Sequence, residues 1–357
     1  MTDHPSFSER IGDKVRCTVC PRHCELDEGQ RGFCFVRQRQ SDHVVSTTYG
    51  RSSGFVMDPI EKKPLYHFHP GTPVLSFGTA GCNLGCHFCQ NWDMTKSRQL
   101  DILQSEATPG AIARAAVATG ARSVAYTYND PVIFIEYAVD TALACREKDI
   151  FNVAVTAGYI TPEAAEHFFP FMDAANIDLK AFSENFYHKL CAGALAPVLE
   201  TLEYVVRETD CWLEITTLLI PGENDSDEDL DLLTRWVAEH LGPTVPLHFS
   251  AFHPDYRLDR HPPTSLTILR RAVKWAHSNG LLHVYLGNVR STEGSQTLCP
   301  HCGASLIGRS GYRITHWNLD DEGRCTTCGN RCEGRFSGPP GHWGTRYERV
   351  DISRFAT

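Results

Sequence analysis

The fold of this chain is decided by VLSFG at residues 74–78 and by GCNLGCHFCQN at residues 81–91. The first stretch is an apolar run that predicts a buried β-strand. The second carries Cys82, Cys86 and Cys89, and three thiolates so close in sequence can converge on one metal centre only from a compact loop. Soft thiolate ligands select zinc or iron–sulfur centres over hard cations. Together the two stretches predict a strand whose end carries a metal site.

On either side of this loop, residues 73–288 alternate apolar runs with amphipathic segments, which is typical of βα units around a parallel sheet. Thr161 and Ser226 are predicted N-caps of two of the intervening helices. In such sheets the chemistry collects at the carboxyl ends of the strands, so the cysteine loop is the first site candidate. The predicted strands are Val74–Gly78, Ser123–Tyr128, Phe151–Thr156, Ala174–Leu179, Trp212–Ile220, Leu247–Phe252 and Leu282–Leu286.

Clustered cysteines divide the chain into three predicted modules. They occur at residues 17–34, 82–89 and 299–332. We expect an N-terminal cysteine-rich module over 1–70, an α/β core with a partial (β/α) barrel over 71–290, and a zinc-ribbon-like module with a tail over 291–357. Three further cysteines, Cys145, Cys191 and Cys211, stand alone and are expected to be buried structural thiols.

Composition narrows the functional class. A net charge of -9 gives no basic surface for nucleic acid. The first ten residues lack the apolar core of a secretory signal, and no apolar run approaches the length of a membrane span. We therefore expect a cytoplasmic protein that binds neither nucleic acid nor membrane. The 15 cysteines would stay reduced there, so the clustered ones are expected to be metal ligands.

The C-terminal cysteines form two Cys-x2-Cys-Gly knuckles, a pattern that predicts a closed tetrahedral zinc site. A rubredoxin-like iron is the alternative, because both metals accept four sulfurs. Cys332 is a spare thiol nearby. The predicted ligands are Cys299, Cys302, Cys325 and Cys328.

The N-terminal set allows zinc or an auxiliary iron–sulfur cluster, and its spacing does not decide between them. Zinc is favoured because the set is small and precedes the barrel. An auxiliary cluster would imply an additional electron-transfer step. The ligands of this set are Cys17, Cys20, Cys24 and Cys34.

The central loop differs from both flanking sets because it offers three cysteines rather than four. A [4Fe-4S] cluster ordinarily takes four, so this loop would leave one iron open for chemistry. Cys-x3-Cys-x2-Cys with an aromatic residue before the last cysteine resembles the radical S-adenosylmethionine (SAM) signature. With KPLYHF at residues 63–68 and CQNW at 89–92, the chain resembles the AmmeMemoRadiSam-system radical SAM enzymes, which are similar to pyruvate formate-lyase activating enzymes.

This resemblance implies reductive cleavage of SAM at the open iron and abstraction of hydrogen from a substrate. It implies a low-potential electron donor such as flavodoxin or ferredoxin, and Memo-like and AMMECR-like partner proteins. The substrate would be either a backbone glycine of a partner protein, as in glycyl-radical activation, or a small molecule.

The resemblance also assigns cofactor-binding residues. Asn129 and Asp130 stand where the family binds the SAM amino group, and Lys180, with Asp178, matches a lysine that meets the SAM carboxylate. His253 resembles a histidine near the ribose, and Phe88 is expected to pack on adenine.

A zinc-ribbon scaffold or binding protein with a catalytically degenerate barrel is the competing hypothesis. It is favoured by Asp130, which is shorter than the glutamate usual in the family, and by Ala157, which cannot hydrogen-bond a ribose. Retention of all three loop cysteines argues against it.

Overall fold

The structure, a computed structural model, describes residues 4–96, 103, 105–289 and 293–356. Its strands are β1 (Ser8–Ile11), β2 (Lys14–Cys17), β3 (Glu25–Leu26), β4 (Arg37–Gln40), β5 (His43–Ser46), β6 (Arg51–Ser52), β7 (Phe55–Pro59), β8 (Pro73–Phe77), β9 (Ser105–Glu106), β10 (Ser123–Tyr126), β11 (Phe151–Thr156), β12 (Ala174–Asp178), β13 (Trp212–Leu219), β14 (Leu247–Ala251), β15 (Val284–Gly287), β16 (Thr297–Leu298), β17 (Ser305–Ser310), β18 (Arg313–Trp317) and β19 (Glu348–Val350).

The central sheet has nine strands in the order β15-β14-β13-β12-β11-β10-β8-β7-β19. Strands β8 and β10 to β15 are mutually parallel, whereas β7 is antiparallel to β8. All seven predicted strands are present, with ends displaced by at most two residues. The prediction of an α/β partial barrel is therefore confirmed.

Helices connect the parallel strands and cover the sheet. Ser226 caps α7 and Ser265 caps α8, each side chain accepting a backbone N–H of the first turn. Thr161 precedes α4 but makes no such bond, because its hydroxyl donates to Thr18 O at 2.7 Å. The helices are α1 (Trp92–Thr95), α2 (Pro109–Ala118), α3 (Ile135–Arg146), α4 (Pro162–Phe168), α5 (Glu184–Phe186), α6 (Ala196–Glu208), α7 (Asp227–Trp236) and α8 (Leu266–Ser278).

A connector over residues 60–72 lies at the amino ends of the parallel strands. Its position follows from the antiparallel pairing of β7 with β8, which sets Pro59 opposite Pro73. Asn176 on β12 donates to Pro64 O at 2.8 Å, and two backbone N–H groups of the connector donate to Glu214 on β13. The connector therefore closes the end of the barrel opposite to the cysteine loop.

The C-terminal segment spans the open side between β15 and β7. At one edge Leu286 N donates to Gly294 O at 3.0 Å, and at the other Gly341 N donates to Pro70 O at 2.9 Å. Gly71 has a φ of 78°, and a Cβ there would lie 2.2 Å from Gly341 O, so only glycine allows this approach. The C-terminal segment thus forms a wall on the side of the barrel that the seven parallel strands leave open.

The division into modules over 1–70, 71–290 and 291–357 stays a prediction. Strand β7 lies in the first of these ranges and β19 in the third, and the two strands pair with each other. Strand β7 also pairs with β8 of the core. Within the described residues, none of the helices has the length and apolarity required to cross a bilayer.

Candidate functional site

A cavity of about 1330 Å³ extends from the cysteine loop to the connector. Cys82, Cys86 and Cys89 line its upper end, together with residues that follow β10, β11 and β12. Glu61 and Tyr66 line the floor. This cavity is large enough for a cofactor and a small substrate together.

The cysteine loop is held by backbone contacts with the segment at residues 187–191. Gly85 N donates to Cys191 O at 2.7 Å and His87 N to Leu190 O at 2.9 Å. On the other side, the guanidinium of Arg22 donates to the carbonyl oxygens of Asn83 and Ala192. These contacts fix the loop from two separate parts of the chain.

Asn129 ties the start of the loop to the end of β10. Its Oδ1 accepts from Thr79 N at 2.9 Å. Its Nδ2 donates to Ala80 O at 3.3 Å and to Gly81 O at 3.1 Å. Asn129 is only 3% exposed, and its Nδ2 also donates to Thr79 Oγ1 at 3.1 Å, so the side chain holds residues 79–81 ahead of Cys82.

The loop thiols are chemically unequal. Burial, with a contribution from Asp130, raises the pKa of Cys82 to about 12. A hydrogen bond from the Cys191 thiol lowers the pKa of Cys86 against the effect of burial. Cys89 Sγ lies 3.2 Å from Thr95 Oγ1. Metal binding requires deprotonated thiols, and a soft iron–sulfur centre suits this donor set.

Lys180 and Asp178 form an ion pair beside the loop. Their Nζ and Oδ2 atoms are 2.9 Å apart, and the Nζ lies 6.0 Å from the centroid of the Phe88 ring. Burial would lower the pKa of Lys180, but the Asp178 carboxylate, with a contribution from Cys86, raises it well above its ordinary value. The Asp178 carboxylate therefore favours the charged ammonium at the end of the cavity that carries the cysteine loop.

Asp130 and His253, which the sequence analysis also assigned to SAM binding, differ in their exposure to solvent. Asp130 is buried, and its carboxylate accepts from Val132 N at 3.1 Å, Thr156 Oγ1 at 2.9 Å and Ala157 N at 3.0 Å. His253 is exposed at the cavity mouth, with its Nε2 3.3 Å from Asn288 O. Asp130 thus has both oxygens committed within the protein, whereas His253 remains accessible.

The floor carries buried charges that sequence analysis did not single out. Asp58 accepts from Lys62 and Lys63, each at 2.8 Å. Burial lowers the pKa of Lys63 to about 8. Glu61 Oε1 accepts from Gly71 N at 2.7 Å, while Glu61 Oε2 has no hydrogen-bond partner among the described residues. Burial raises the pKa of Glu61 to about 7.

Glu214, on β13, connects the floor to the strands through hydrogen bonds of its carboxylate. Its carboxylate accepts from Tyr66 N at 2.9 Å, His67 N at 2.7 Å, Trp212 Nε1 at 3.1 Å and His248 Nε2 at 2.7 Å. Full use of its lone pairs is what a buried carboxylate requires.

Arg309, from β17, extends this network into the C-terminal segment. It donates to Tyr66 O at 2.6 Å and to Thr297 Oγ1 at 3.0 Å. The guanidinium carbon also lies 4.2 Å from the centroid of the Tyr66 ring. The C-terminal wall is therefore fixed to the floor by a buried cation.

The C-terminal cysteines form a compact group. Cys299 and Cys328 have Sγ atoms 3.7 Å apart, and Cys302 and Cys325 have theirs 3.8 Å apart. All four ligand atoms lie within 4.8 Å of one another. A second group of close ligand atoms, which the sequence analysis did not predict, is formed by His67, His283 and Cys332. Both ring nitrogens of His67 already have hydrogen-bond partners, Glu333 O at 2.6 Å and Tyr285 Oη at 2.5 Å.

Comparisons with known proteins agree with this site. The sequence profile of the Radical SAM superfamily matches residues 77–233. A relative from Methanocaldococcus jannaschii, "Uncharacterized protein MJ0808", is 42% identical over 329 residues, which cover 92% of this chain and 98% of that protein.

Solved structures share parts of the fold at low sequence identity. A domain of a pyruvate-formate lyase-activating enzyme from Bacteroides vulgatus is 17% identical, with a TM-score of 0.42 and coverage of 46% of this chain and 99% of that one. A radical SAM methyltransferase from Sphaerobacter thermophilus is 18% identical, with a TM-score of 0.48 and coverage of 61% and 67%.

The chain belongs to the radical SAM superfamily, in one family with the archaeal relative, and it is an enzyme. The competing scaffold hypothesis is therefore not supported. Membership implies a [4Fe-4S] cluster, SAM and an electron donor of the flavodoxin or ferredoxin kind. The three thiols at one end of a large cavity fit such a cluster.

Proposed function

We propose that the protein cleaves SAM reductively at a [4Fe-4S] cluster held by Cys82, Cys86 and Cys89, and abstracts hydrogen from a substrate bound deeper in the cavity. The observation that carries this proposal is the position of the three thiols at one end of a cavity whose other end is lined by polar groups. When bound, the cluster supplies the electron that converts SAM to methionine and a 5'-deoxyadenosyl radical.

The chain's own residues would bind and orient SAM. The Lys180 ammonium would meet the SAM carboxylate, because it is held in place by Asp178 and stays charged. Phe88 would pack on the adenine and His253 would lie near the ribose at the cavity mouth. Asn129 and Asp130 would act on the SAM amino group mainly by fixing the surrounding backbone, since their side chains are bonded within the protein.

The floor supports a small polar molecule as the substrate. The free oxygen of Glu61 leaves a hydrogen-bonding group of the floor unsatisfied, and an unsatisfied buried oxygen is costly. The hydroxyl of Thr216 also lines the cavity and has no partner among the described residues. A hydroxyl or amino compound would satisfy Glu61, and the C-terminal wall would exclude water from it.

Glycyl-radical activation is the second candidate. It would require a partner protein to insert a glycine-bearing loop at the mouth, and it predicts a radical in that partner.

Memo-like and AMMECR-like proteins are further proposed partners. Fifteen reduced thiols suit a cytoplasmic location. We also propose zinc at Cys299, Cys302, Cys325 and Cys328, because their spacing suits one tetrahedral ion.

The test is anaerobic reconstitution with iron and sulfide, then addition of dithionite and SAM, with 5'-deoxyadenosine measured by chromatography. Wild type should form it, and Cys86→Ala should lower the rate by at least about a hundredfold, because loss of one of three ligands empties the site. Cys145→Ala, which removes a buried thiol of α3, should retain activity. A loaded cluster without cleavage would refute the proposal.

A further inference from the structure

The four N-terminal cysteines surround one enclosed pocket on the outer side of the cysteine loop. The pocket is also lined by Arg22, Arg37 and Asn83. Cys17 and Cys34 are buried, and Cys20 and Cys24 are half-buried. Four thiols from residues 17–34 are thus collected at a place shielded from solvent.

Backbone N–H groups point at several of these sulfur atoms. Phe33 N donates to Cys24 Sγ at 3.5 Å. The N–H of Arg22 donates to Cys20, and the N–H groups of Val36 and Arg37 donate to Cys34. N–H donors of this kind can hydrogen-bond the sulfur ligands of an iron–sulfur cluster and so tune it.

The distances between sulfur atoms distinguish the N-terminal cysteine set from the C-terminal one. Four sulfurs at about 2.3 Å from a tetrahedral zinc lie about 3.8 Å from one another, as the C-terminal pairs at 3.7 and 3.8 Å do. Within the described part of the chain, three or more ligand atoms come within 4.8 Å of one another only in the C-terminal set and at His67, His283 and Cys332. The N-terminal set is wider, and it shares this property with Cys82, Cys86 and Cys89, which we propose to hold the [4Fe-4S] cluster.

We propose that Cys17, Cys20, Cys24 and Cys34 bind a second iron–sulfur cluster rather than zinc. Four thiolates complete the coordination of a [4Fe-4S] cluster, so this centre would be closed, in contrast to the three-cysteine centre. The proposal goes beyond SAM cleavage and does not depend on it.

The two centres would lie on opposite sides of Gly81–Asn83. Gly81 has a φ of 77°, and a Cβ there would lie 2.0 Å from Cys34 O, so the two segments are in direct backbone contact. Arg22, located between Cys20 and Cys24, donates to Asn83 O. Only one peptide segment therefore separates the two cysteine sets.

The buried charges nearby suit this assignment. The Arg37 guanidinium makes two hydrogen bonds with Glu136, at 2.8 and 2.9 Å, so its charge is paired within the protein. Arg22 stacks on the exposed ring of Phe33, 3.5 Å from its centroid, and contributes a cation at the edge of the pocket. Because the charge of Arg37 is already paired, the Arg22 guanidinium is the cation that would partly balance the negative charge of a four-thiolate cluster.

Metal analysis of the wild-type protein, purified and reconstituted without oxygen, decides the question. We expect about eight iron, about eight sulfide and about one zinc per chain, corresponding to two [4Fe-4S] clusters and one closed zinc site. About four iron with about two zinc would overturn the proposal. Because this measurement needs no substitution, it is independent of whether a variant folds.

Variants then locate the second cluster. Cys20→Ala with Cys24→Ala should remove about half of the iron and leave the zinc, whereas Cys302→Ala with Cys328→Ala should remove the zinc and leave the iron. Cys145→Ala is the control and should change neither. Loss of zinc from the first variant would refute the proposal. Eight irons without SAM cleavage would instead refute only the proposed function.

Discussion

The two ends of the cavity are built by different means. At the cluster end, where the cysteine loop lies, residues 79–91 follow a single strand and are held by hydrogen bonds to their backbone, from Asn129 and from the Arg22 guanidinium. At the floor, Glu61, Glu214 and Arg309 come from three distant segments and meet as buried charges. The cluster end can thus be recognised from one contiguous motif, whereas the floor exists only after the chain has folded.

This difference has energetic consequences. A buried amide hydrogen bond contributes about 1 kcal/mol, but loss of one partner of a buried charged group costs several times more. Substitutions at the floor should therefore mainly affect stability, and substitutions around the loop should mainly affect the cluster. Three substitutions test this contrast.

The largest effect is expected for Glu214→Gln at the floor. Glutamine cannot accept from all four donors that now bond the carboxylate, so at least one buried N–H loses its partner. We expect a loss of about 3 to 5 kcal/mol, measured by denaturant unfolding. Iron content per folded chain should not change.

The matched control is Glu203→Gln on α6, where the carboxylate pairs with Arg207 and His240 near the surface. Surface pairs contribute about 0 to 1 kcal/mol, so its unfolding should resemble that of wild type. Equal losses in the two variants would contradict the role assigned to the floor network.

A smaller loss of stability is expected for Asn129→Ala at the cluster end. It leaves the buried Thr79 N–H unsatisfied, at a cost of about 3 kcal/mol with the other lost bonds. The residues leading into Cys82 would also lose their anchor. We expect cluster loading and 5'-deoxyadenosine formation to fall at least about tenfold.

Asn152→Ala is its control, since Asn152 is a buried asparagine bonded to Tyr126 Oη and Ala142 O and far from the loop in sequence. It should lose stability while keeping activity per loaded cluster. If Asn152→Ala lost activity to the same extent as Asn129→Ala, the anchoring role of Asn129 would be wrong.

The smallest effect is expected for Glu61→Gln and depends on pH. Burial raises the pKa of Glu61 to about 7, against an ordinary value of 4.5, so the folded state holds this proton more tightly than the unfolded state. The resulting stabilisation is present below about pH 4.5 and is lost as pH rises to about 7. Arg309 and Glu214, with Tyr66 and Tyr312, are the groups that face this carboxyl.

Glutamine cannot titrate, so the difference in stability between variant and wild type should shift in favour of the variant by about 2 kcal/mol between pH 5 and pH 8. Melting temperatures of both proteins across this range provide the measurement. Other titrating groups, such as His67, contribute equally to the stability of both proteins, so their contributions cancel in the difference. A difference independent of pH would show that Glu61 is not protonated in the folded state near neutrality.

Much of the site could be predicted because its signals are local. Apolar runs located all seven parallel strands, and the order of βα units placed the cysteine loop at their carboxyl ends. Asp178 and Lys180, which the family resemblance assigns together to the SAM carboxylate, are bonded at 2.9 Å.

Other roles depended on partners far away in sequence. Thr161 has the sequence context of an N-cap, yet its hydroxyl bonds to Thr18 O instead. Cys191 looked like an isolated structural thiol, but it contacts Cys86. The signal for the floor was present in KPLYHF at residues 63–68, but only the contacts with Glu214 and Arg309 show what that segment does.

The sequence by itself determined the α/β class, the three cysteine sets and the loop that defines the family, because each depends on spacing within a short stretch. The tertiary structure decided which segment closes the barrel, which charges line the floor and how wide each cysteine set is. These depend on distances between residues 100 or more positions apart, such as Tyr66 and Arg309, and such distances are fixed only by the packing of the whole chain.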